Sequence, residues 1–360
     1  MSAQTPLRVA IVGLRGMGMA HAKAIAVCEE YQLVAGCDLQ DDLLSQFNGQ
    51  YPGAKTYRDY ALMLLEVKPD VVVIVTNCVS HSALTIQAAE AGVRGVYCEK
   101  PMATNLADGR AMLETCKRNK VALAVNHQRR LAPVFQTLRK KMVEGLVGEI
   151  ELIRASCAGD VLSDGTHLVD TVRHLAGDAE VKWVFAQIHR LPPDPDEPRG
   201  MGYDASGGWR YGHPIETGAM AVIEFATGLR AELFTGSLQQ RGRAYQDYEI
   251  YGKKGRFHRP GDAGDPNLLI QTLNQAGWKP VAIENDAGKA SSERAMITSY
   301  QLFARMIWEG ETHPLSGDSA LKDLEVVMAI YEAARIRNRL ILPLRQPRFP
   351  LDILIEDGEM

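Results

Sequence analysis

A glycine cluster, Gly13-Leu14-Arg15-Gly16-Met17-Gly18, stands between the apolar stretch Leu7 to Val12 and a run of helical spacing from Met17 to Glu30. Backbone N–H groups in such a turn, reinforced by the dipole of the helix it opens, suit a diphosphate. Gly13 and Gly18 hold the outer positions of a G-x-G-x-x-G fingerprint. Arg15 stands where the middle glycine lets backbone approach a pyrophosphate, and Gly16 follows it as an extra flexible point. Arg15 would add a charged contact. Asp38, twenty residues beyond Gly18, ends the next strand-like stretch, where a carboxylate accepts hydrogen bonds from a ribose and repels a 2′-phosphate. NAD is therefore expected ahead of NADP, although Arg15 keeps NADP open. The plainer alternative is that Asp38 caps a strand end.

Glu99-Lys100-Pro101 directly follows a strand-like Gly95 to Cys98. A lysine at the end of a parallel strand can hydrogen-bond a substrate hydroxyl and stabilise a developing alkoxide while hydride leaves for a nicotinamide. Pro101 stiffens that turn, and a cis bond before it is one option. His167, where a helix begins, carries an imidazole that titrates near neutrality and suits proton exchange with a hydroxyl. A structural histidine satisfied by Asp170 is the bland reading. His167, Asp170 and His174 also have a loose metal-ligand spacing, but hydride transfer needs no metal and none is expected. Gly207 to His213, with Trp209, Arg210 and His213, has the composition to hold a polyhydroxylated ring, or equally to be a solvent loop. Asn126, His127, Arg129 and Arg130 follow the last strand of the alternating region, within reach of a nicotinamide or an acidic group of a substrate; helix capping and surface charge are the alternatives.

Ser80-His81, Glu99-Lys100-Pro101, Gly165-Thr166-His167-Leu168-Val169-Asp170 and the later Glu216-x-Gly-Ala, in this order and spacing, resemble the Gfo/Idh/MocA oxidoreductase family over nearly the whole chain. The resemblance implies oxidation or reduction of hydroxyl and keto groups on sugars, cyclitols or related small molecules with a nicotinamide cofactor. It implies Lys100 as catalytic lysine and His167 as active-site histidine. Thr76, Asn77, His81, Glu99 and Asn126 join Gly13, Arg15, Gly16, Met17, Gly18, Asp38 and Lys100 as expected cofactor contacts. Substrate contacts are expected from Lys100, Arg129, Asp164, His167, Trp209, Arg210 and His213. Members commonly carry Asp four residues before the histidine; here that position is Ser163, and Asp164 falls three before it. Either is a candidate to orient the imidazole, and Asp164 is kept in the catalytic set. Two other readings share these motifs: transient oxidation that activates an elimination or glycoside cleavage, and a cofactor-binding regulator without turnover.

These residues need a scaffold. Strand-like Leu7–Val12, Leu33–Asp38, Val71–Thr76, Gly95–Cys98 and Ala122–Val125 are separated by helical stretches, including Arg58–Glu66, Ser82–Ala91 and Leu106–Asn119. That alternation predicts a Rossmann domain, a parallel sheet covered on both faces. After a helix over Ala132–Glu144 the rhythm changes. Ile150–Cys157, Lys182–Arg190, Ala219–Phe225, Arg230–Ser237 and Tyr245–Tyr251 read as strands, several without helices between, and Ser319–Asn338 as a late helix. They predict an α+β domain with a large, mostly antiparallel, open-faced sheet. The expected division is a dinucleotide-binding domain over 1–126 and a substrate-binding and oligomerisation domain over 127–360. Leu191–Pro198 and Asp204–Pro214 read as loops, and the Pro-spaced tail Pro343–Pro350 as a strap across a neighbouring subunit.

With 360 residues, two domains are the default. Forty basic against 44 acidic residues lack the footprint of a nucleic-acid or membrane-surface binder. No stretch approaches the ~18 apolar residues of a spanning helix, and the polar Met1–Leu7 does not read as a signal peptide. Six scattered cysteines without a C-x-x-C pair suit a reducing cytoplasm. The expected protein is a cytoplasmic homo-oligomer, dimer or tetramer, acting on a sugar-like small molecule.

Overall fold

The structure is a computed structural model that describes residues 4–191, 208–239, 245–262, 264–284 and 291–360. In chain order the first elements are β1 (Leu7–Val12), α1 (Gly16–Ala26), β2 (Tyr31–Cys37), α2 (Asp41–Gln50), β3 (Lys55–Tyr57), α3 (Tyr60–Val67) and β4 (Val71–Ile74). Then come α4 (His81–Glu90), β5 (Gly95–Cys98), α5 (Leu106–Arg118) and β6 (Ala122–Val125). The strands form one sheet in the order β3-β2-β1-β4-β5-β6, parallel throughout. Val71 to Ile74 are wholly buried, as a strand covered on both faces requires. The order reverses at β1, so the C-terminal ends of β1 and β4 open the crevice where such sheets take ligands.

The second part contains α6 (Pro133–Val143), β7 (Ile150–Cys157), α7 (Gly165–Leu175), β8 (Val181–His189), β9 (Trp209–Arg210), β10 (His213–Pro214), β11 (Gly218–Phe225) and β12 (Arg230–Gly236). It continues with β13 (Gln246–Gly252), β14 (Gly255–Arg259), β15 (Leu269–Thr272) and β16 (Lys279–Pro280). The chain ends with α8 (Ser291–Glu309), α9 (Gly317–Ile336), β17 (Leu340–Ile341) and α10 (Pro350–Glu356). Nine strands form a sheet in the order β16-β15-β14-β13-β7-β12-β11-β8-β17, antiparallel except where β7 meets β12. On one face Ile153, Ala155, Ala219, Ala221 and Leu233 are buried, with α7 lying on β7 and β12. The opposite face carries half-buried Leu152, Phe185, Met220, Val222 and Phe234.

The chain divides into two compact units, and neither is one continuous stretch of chain. The first holds Met1–Ala103, Ala107–Leu131 and Lys289–Leu321; the second holds Thr104–Leu106, Ala132–Gly288 and Lys322–Met360. The reason is α8. Its Met296, Tyr300, Phe303 and Ala304 share one buried cluster with Leu7, Val9, Ile11, Val71, Val73 and Tyr97 of the parallel sheet. Tyr300 stacks on Tyr97 with ring centroids 4.6 Å apart. One smaller expectation changes. Trp209–Pro214, read as loop, forms the antiparallel pair β9–β10, while Pro192–Pro198 and Asp204–Gly207 lie outside the described residues. The Pro-spaced tail packs on its own unit: Leu344, Phe349 and Leu351 are buried, and Phe349 meets Tyr331 of α9 edge-on at 4.9 Å.

Candidate active site

The glycine turn is built by close backbone approach. Gly13 has φ +89°, and a Cβ there would stand 2.2 Å from the Val75 carbonyl oxygen; one on Gly18 would stand 2.0 Å from the Gly13 carbonyl oxygen. Only glycine fits either place. Gly16 differs, since a Cβ there meets open space, and it opens α1 with Arg15 as the residue before the helix. No side chain caps this helix; the Gly18 amide turns back to the Arg15 carbonyl at 2.6 Å, which leaves the Gly16 and Met17 amides for an anion. Met17 is exposed on the first turn.

Asp38 lies one residue past β2. Its Oδ2 accepts the Leu14 amide at 2.8 Å and its Oδ1 the Gln40 amide at 3.0 Å. The carboxylate thus fixes the glycine turn, and each oxygen keeps a lone pair. A dinucleotide fits these residues, with the Gly13–Gly18 turn at its diphosphate and Asp38 at its ribose.

Glu99 and Lys100 stand at the C-terminal end of β5, and the Lys100–Pro101 peptide is cis. Glu99 Oε1 accepts from His21 Nε2 at 2.8 Å and Asn126 Nδ2 at 2.6 Å, while Oε2 accepts the Lys100 amide at 3.0 Å. Burial alone would raise this carboxyl; the His21 hydrogen bond and its charge interaction, the Lys100 charge and the Asn126 hydrogen bond outweigh it and hold Glu99 at about 2. Asn126 is fully buried, and its Oδ1 also accepts from the Tyr97 hydroxyl at 2.8 Å. Asn126 thus braces Glu99 from within the protein. His81 is buried too, with Nδ1 2.9 Å from the Pro101 carbonyl oxygen and Nε2 3.1 Å from that of Thr76, and burial pushes its pKa down. It ties the end of β4 to the Lys100–Pro101 turn. Thr76 Oγ1 pairs with Ser80 Oγ at 2.7 Å, and Asn77 stands before the short helical turn that leads into α4. Arg129 lies half-buried in the turn after β6.

In the second unit, His167 occupies the first turn of α7, with Asp164 just before the helix. Asp164 Oδ2 is ion-paired to Arg210, and its Oδ1 accepts from the Tyr245 hydroxyl at 2.5 Å. Gly159, at φ +86°, closes over this carboxylate: a Cβ there would sit 1.9 Å from Asp164 Oδ2. Arg210 also reaches Asp160 at 3.2 Å, and Ser163 Oγ meets His213 Nε2 at 3.0 Å. Asp164, Arg210, His213 and Ser163 therefore share one cluster, and Trp209 stands half-exposed beside it on β9. Nothing in the local sequence marks Asp160, Tyr245 or Tyr331 for this region. Glu216 accepts the Val161 amide at 2.7 Å and the Tyr331 hydroxyl at 2.6 Å, and burial together with Asp160 pushes it up to about 7.

Nothing in the local sequence marks His21 and Tyr300 either. His21 looks like one more polar residue in a helix of small side chains, and Tyr300 comes from an element nearly three hundred residues away. Asp247, Glu249 and His258 gather within 4.8 Å on β13 and β14, but His258 already pairs with Asp247 at 2.9 Å and Tyr251 with Glu249. Among the described residues no helix is long and apolar enough to cross a membrane.

Comparison with known proteins agrees with this architecture. Residues 7–127 match the profile described as "Oxidoreductase family, NAD-binding Rossmann fold", and residues 135–258 match the GFO/IDH/MocA C-terminal domain. D-apiose dehydrogenase of Paraburkholderia graminis is 32% identical over 346 residues, covering 91% of this chain and 87% of its own. Myo-inositol 2-dehydrogenase of Thermotoga maritima is 28% identical over 269 residues, covering 70% of this chain and 74% of its own. In fold, the chain is similar to an Agrobacterium radiobacter oxidoreductase solved with NAD+, L-tartaric acid and magnesium, with TM-score 0.77, 20% identity, and coverage of 94% of this chain and 98% of that one. With both domains matched in order, and the glycine turn and Glu99-Lys100-Pro101 seated at the ends of parallel strands, the chain belongs to the Gfo/Idh/MocA family of oxidoreductases.

Proposed function

We propose that the protein transfers a hydride between a nicotinamide cofactor, NAD ahead of NADP, and a secondary hydroxyl or keto group of a sugar, cyclitol or related small molecule. The observation that carries this is the Glu99–Lys100 strand end on the same sheet as the glycine turn. Relatives named for apiose, inositol and glucoside dehydrogenases support the substrate class. Bound nicotinamide supplies the hydride acceptor. Lys100 then steadies the oxyanion that develops on the substrate, and His167 exchanges the hydroxyl proton. Asp164, locked by Arg210 and Tyr245, shapes the substrate side together with His213 and Trp209. The NAD preference rests on the Asp38 carboxylate, which meets a 2′-phosphate with like charge. A relative named as the NADP(+)-dependent scyllo-inositol 2-dehydrogenase of Bacillus subtilis makes this a point to measure.

The test is the purified protein with NAD or NADP and a panel of sugars, inositols and glycosides, followed by absorbance and product analysis. Lys100→Met keeps the aliphatic stem and removes the charge; it is expected to slow turnover by ~100-fold to 10,000-fold while NAD still binds. Turnover near the original rate in a folded variant would make Lys100 structural and reject this mechanism.

We also propose a homo-oligomer built on the uncovered face of the nine-stranded sheet. There Met220 lies opposite Phe234 and Val222 opposite Phe185, flanked by the Arg154–Glu232 and Arg230–Glu224 ion pairs. A solution mass of 39.6 kDa by light scattering would refute it. All six cysteines are buried free thiols, which supports a reducing, cytoplasmic setting.

A further inference from the structure

Behind the Lys100 strand end lies a chain of hydrogen bonds whose direction follows from its centre. Glu99 is ionised, so its oxygens only accept. His21 Nε2 therefore gives its proton to Glu99 Oε1, and Asn126 gives an Nδ2 proton to the same oxygen. At the far side of the His21 ring, Nδ1 meets the Tyr300 hydroxyl at 2.6 Å. Tyr97 donates to Asn126 Oδ1, so the Ser299 hydroxyl, 2.6 Å away, donates to Tyr97. His21, Asn126, Tyr97, Tyr300 and Ser299 are all fully buried. The remaining Glu99 oxygen, Oε2, accepts the amide of Lys100 itself.

Three separate pieces of chain thus converge on the peptide that carries the lysine. His21 comes from α1, three residues beyond Gly18 of the glycine turn. Asn126 follows β6. Ser299 and Tyr300 come from α8, the returning helix. A carboxylate with one donor missing can swing about its χ angles, and Lys100 is the next residue along. We infer that His21, backed by Tyr300, is a positioning residue for Lys100: it fixes the Glu99 carboxylate, and through it the Lys100 peptide, relative to the glycine turn that opens its own helix. The inference rests on the proposed role of Lys100.

His21→Phe keeps a ring in the cavity and removes both nitrogens, whereas His21→Gln retains a donor on a chain long enough to reach Glu99. Displacing a reacting group by about 1 Å costs ~100-fold in rate, so His21→Phe is expected to lower kcat ~10- to 100-fold, with substrate KM and NAD affinity within about 3-fold of the parent. His21→Gln should recover most of that loss. In a Lys100→Met background, His21→Phe should add less than about 2-fold, because the group it positions is gone. A lower melting temperature with kcat unchanged, or losses that multiply across the two substitutions, would overturn the inference. Tyr300→Phe deletes one hydroxyl, so it serves if His21→Phe does not fold; its kcat is expected to fall ~3- to 10-fold with KM unchanged, and an unchanged kcat would count against the inference.

One readout does not need turnover. After reductive 13C-methylation of the lysines, the resonance missing from Lys100→Met identifies Lys100, and it should shift or broaden in His21→Phe. An unmoved resonance overturns the positioning role. A moved resonance in a protein that oxidises no member of the panel leaves the positioning role standing and removes the proposed substrate class.

Discussion

Glu99 and Glu216 are both buried carboxyls next to residues expected to do chemistry, yet they sit at opposite ends of the titration scale. Glu99 is held at about 2 and Glu216 is pushed up to about 7. Burial opposes ionisation at both, so the difference comes from their neighbours. Glu99 has three hydrogen-bond donors together with the charges of His21 and Lys100; Glu216 also has donors, in Tyr331, Val161 and its own amide, but the carboxylate of Asp160 faces it. Donors alone do not offset desolvation and a like charge together. One unit thus carries a permanently charged brace, and the other a carboxyl whose proton is exchangeable near neutrality.

The largest effect should come from breaking the charged brace. Glu99→Leu leaves the donors of His21 and Asn126 inside the protein without an acceptor, an expected loss of about 3 kcal/mol or more in denaturant unfolding. A loss below about 1 kcal/mol would mean that Glu99 is not pinned in solution as it is in the structure. The pH response separates the two glutamates further. A depressed carboxyl such as Glu99 contributes stability that is present above its ordinary value of 4.5 and lost as pH falls towards 2, so it adds no slope near neutrality. Glu216 is raised, so its contribution is full below 4.5 and is lost as pH rises through about 7. Between pH 5 and 8 the wild type should therefore lose on the order of 2 kcal/mol through this group, and Glu216→Gln should flatten the curve. Parallel melting curves for the two proteins over that range would sink the comparison. The smallest effect concerns a third carboxylate, which is only half-buried. Asp38→Ala should cost about 1 kcal/mol, because the Leu14 and Gln40 amides turn to water. The same change should narrow the gap between NAD and NADP affinity, and an unchanged gap would separate Asp38 from cofactor choice.

Much of this was legible in the sequence because it is local. A glycine turn needs residues without a Cβ at fixed offsets, and a buried parallel strand needs an unbroken apolar run, so Gly13, Gly18 and Val71 to Ile74 speak for themselves. The partners of Glu99 do not. His21 lies among alanines on α1, and only the fold brings it to β5. Helix α8 carries its apolar stripe, Met296, Tyr300, Phe303 and Ala304, in plain view, but the stripe says that the helix is buried and not which sheet buries it. Asp164 shows the same limit. Its spacing from His167 suggests a carboxylate aimed at an imidazole, while the structure gives both of its oxygens to Arg210 and Tyr245, which are separated from it by 46 and 81 residues.

The return of α8 has a bearing on how the molecule is made. As the chain leaves the ribosome from its N-terminus, the six parallel strands are all present by Val125, but the helix that covers Tyr97 and supplies Ser299 and Tyr300 has not been translated. At roughly 5–20 residues per second, the nascent sheet waits on the order of ten seconds or more with the area that α8 will cover, beside α1, exposed. During that interval the lysine peptide has its carboxylate but lacks the tyrosine and serine that complete the brace. Completion of this half of the enzyme is thus tied to synthesis of nearly the whole chain, so a product truncated before Ser291 would carry every cofactor motif and lack a finished site.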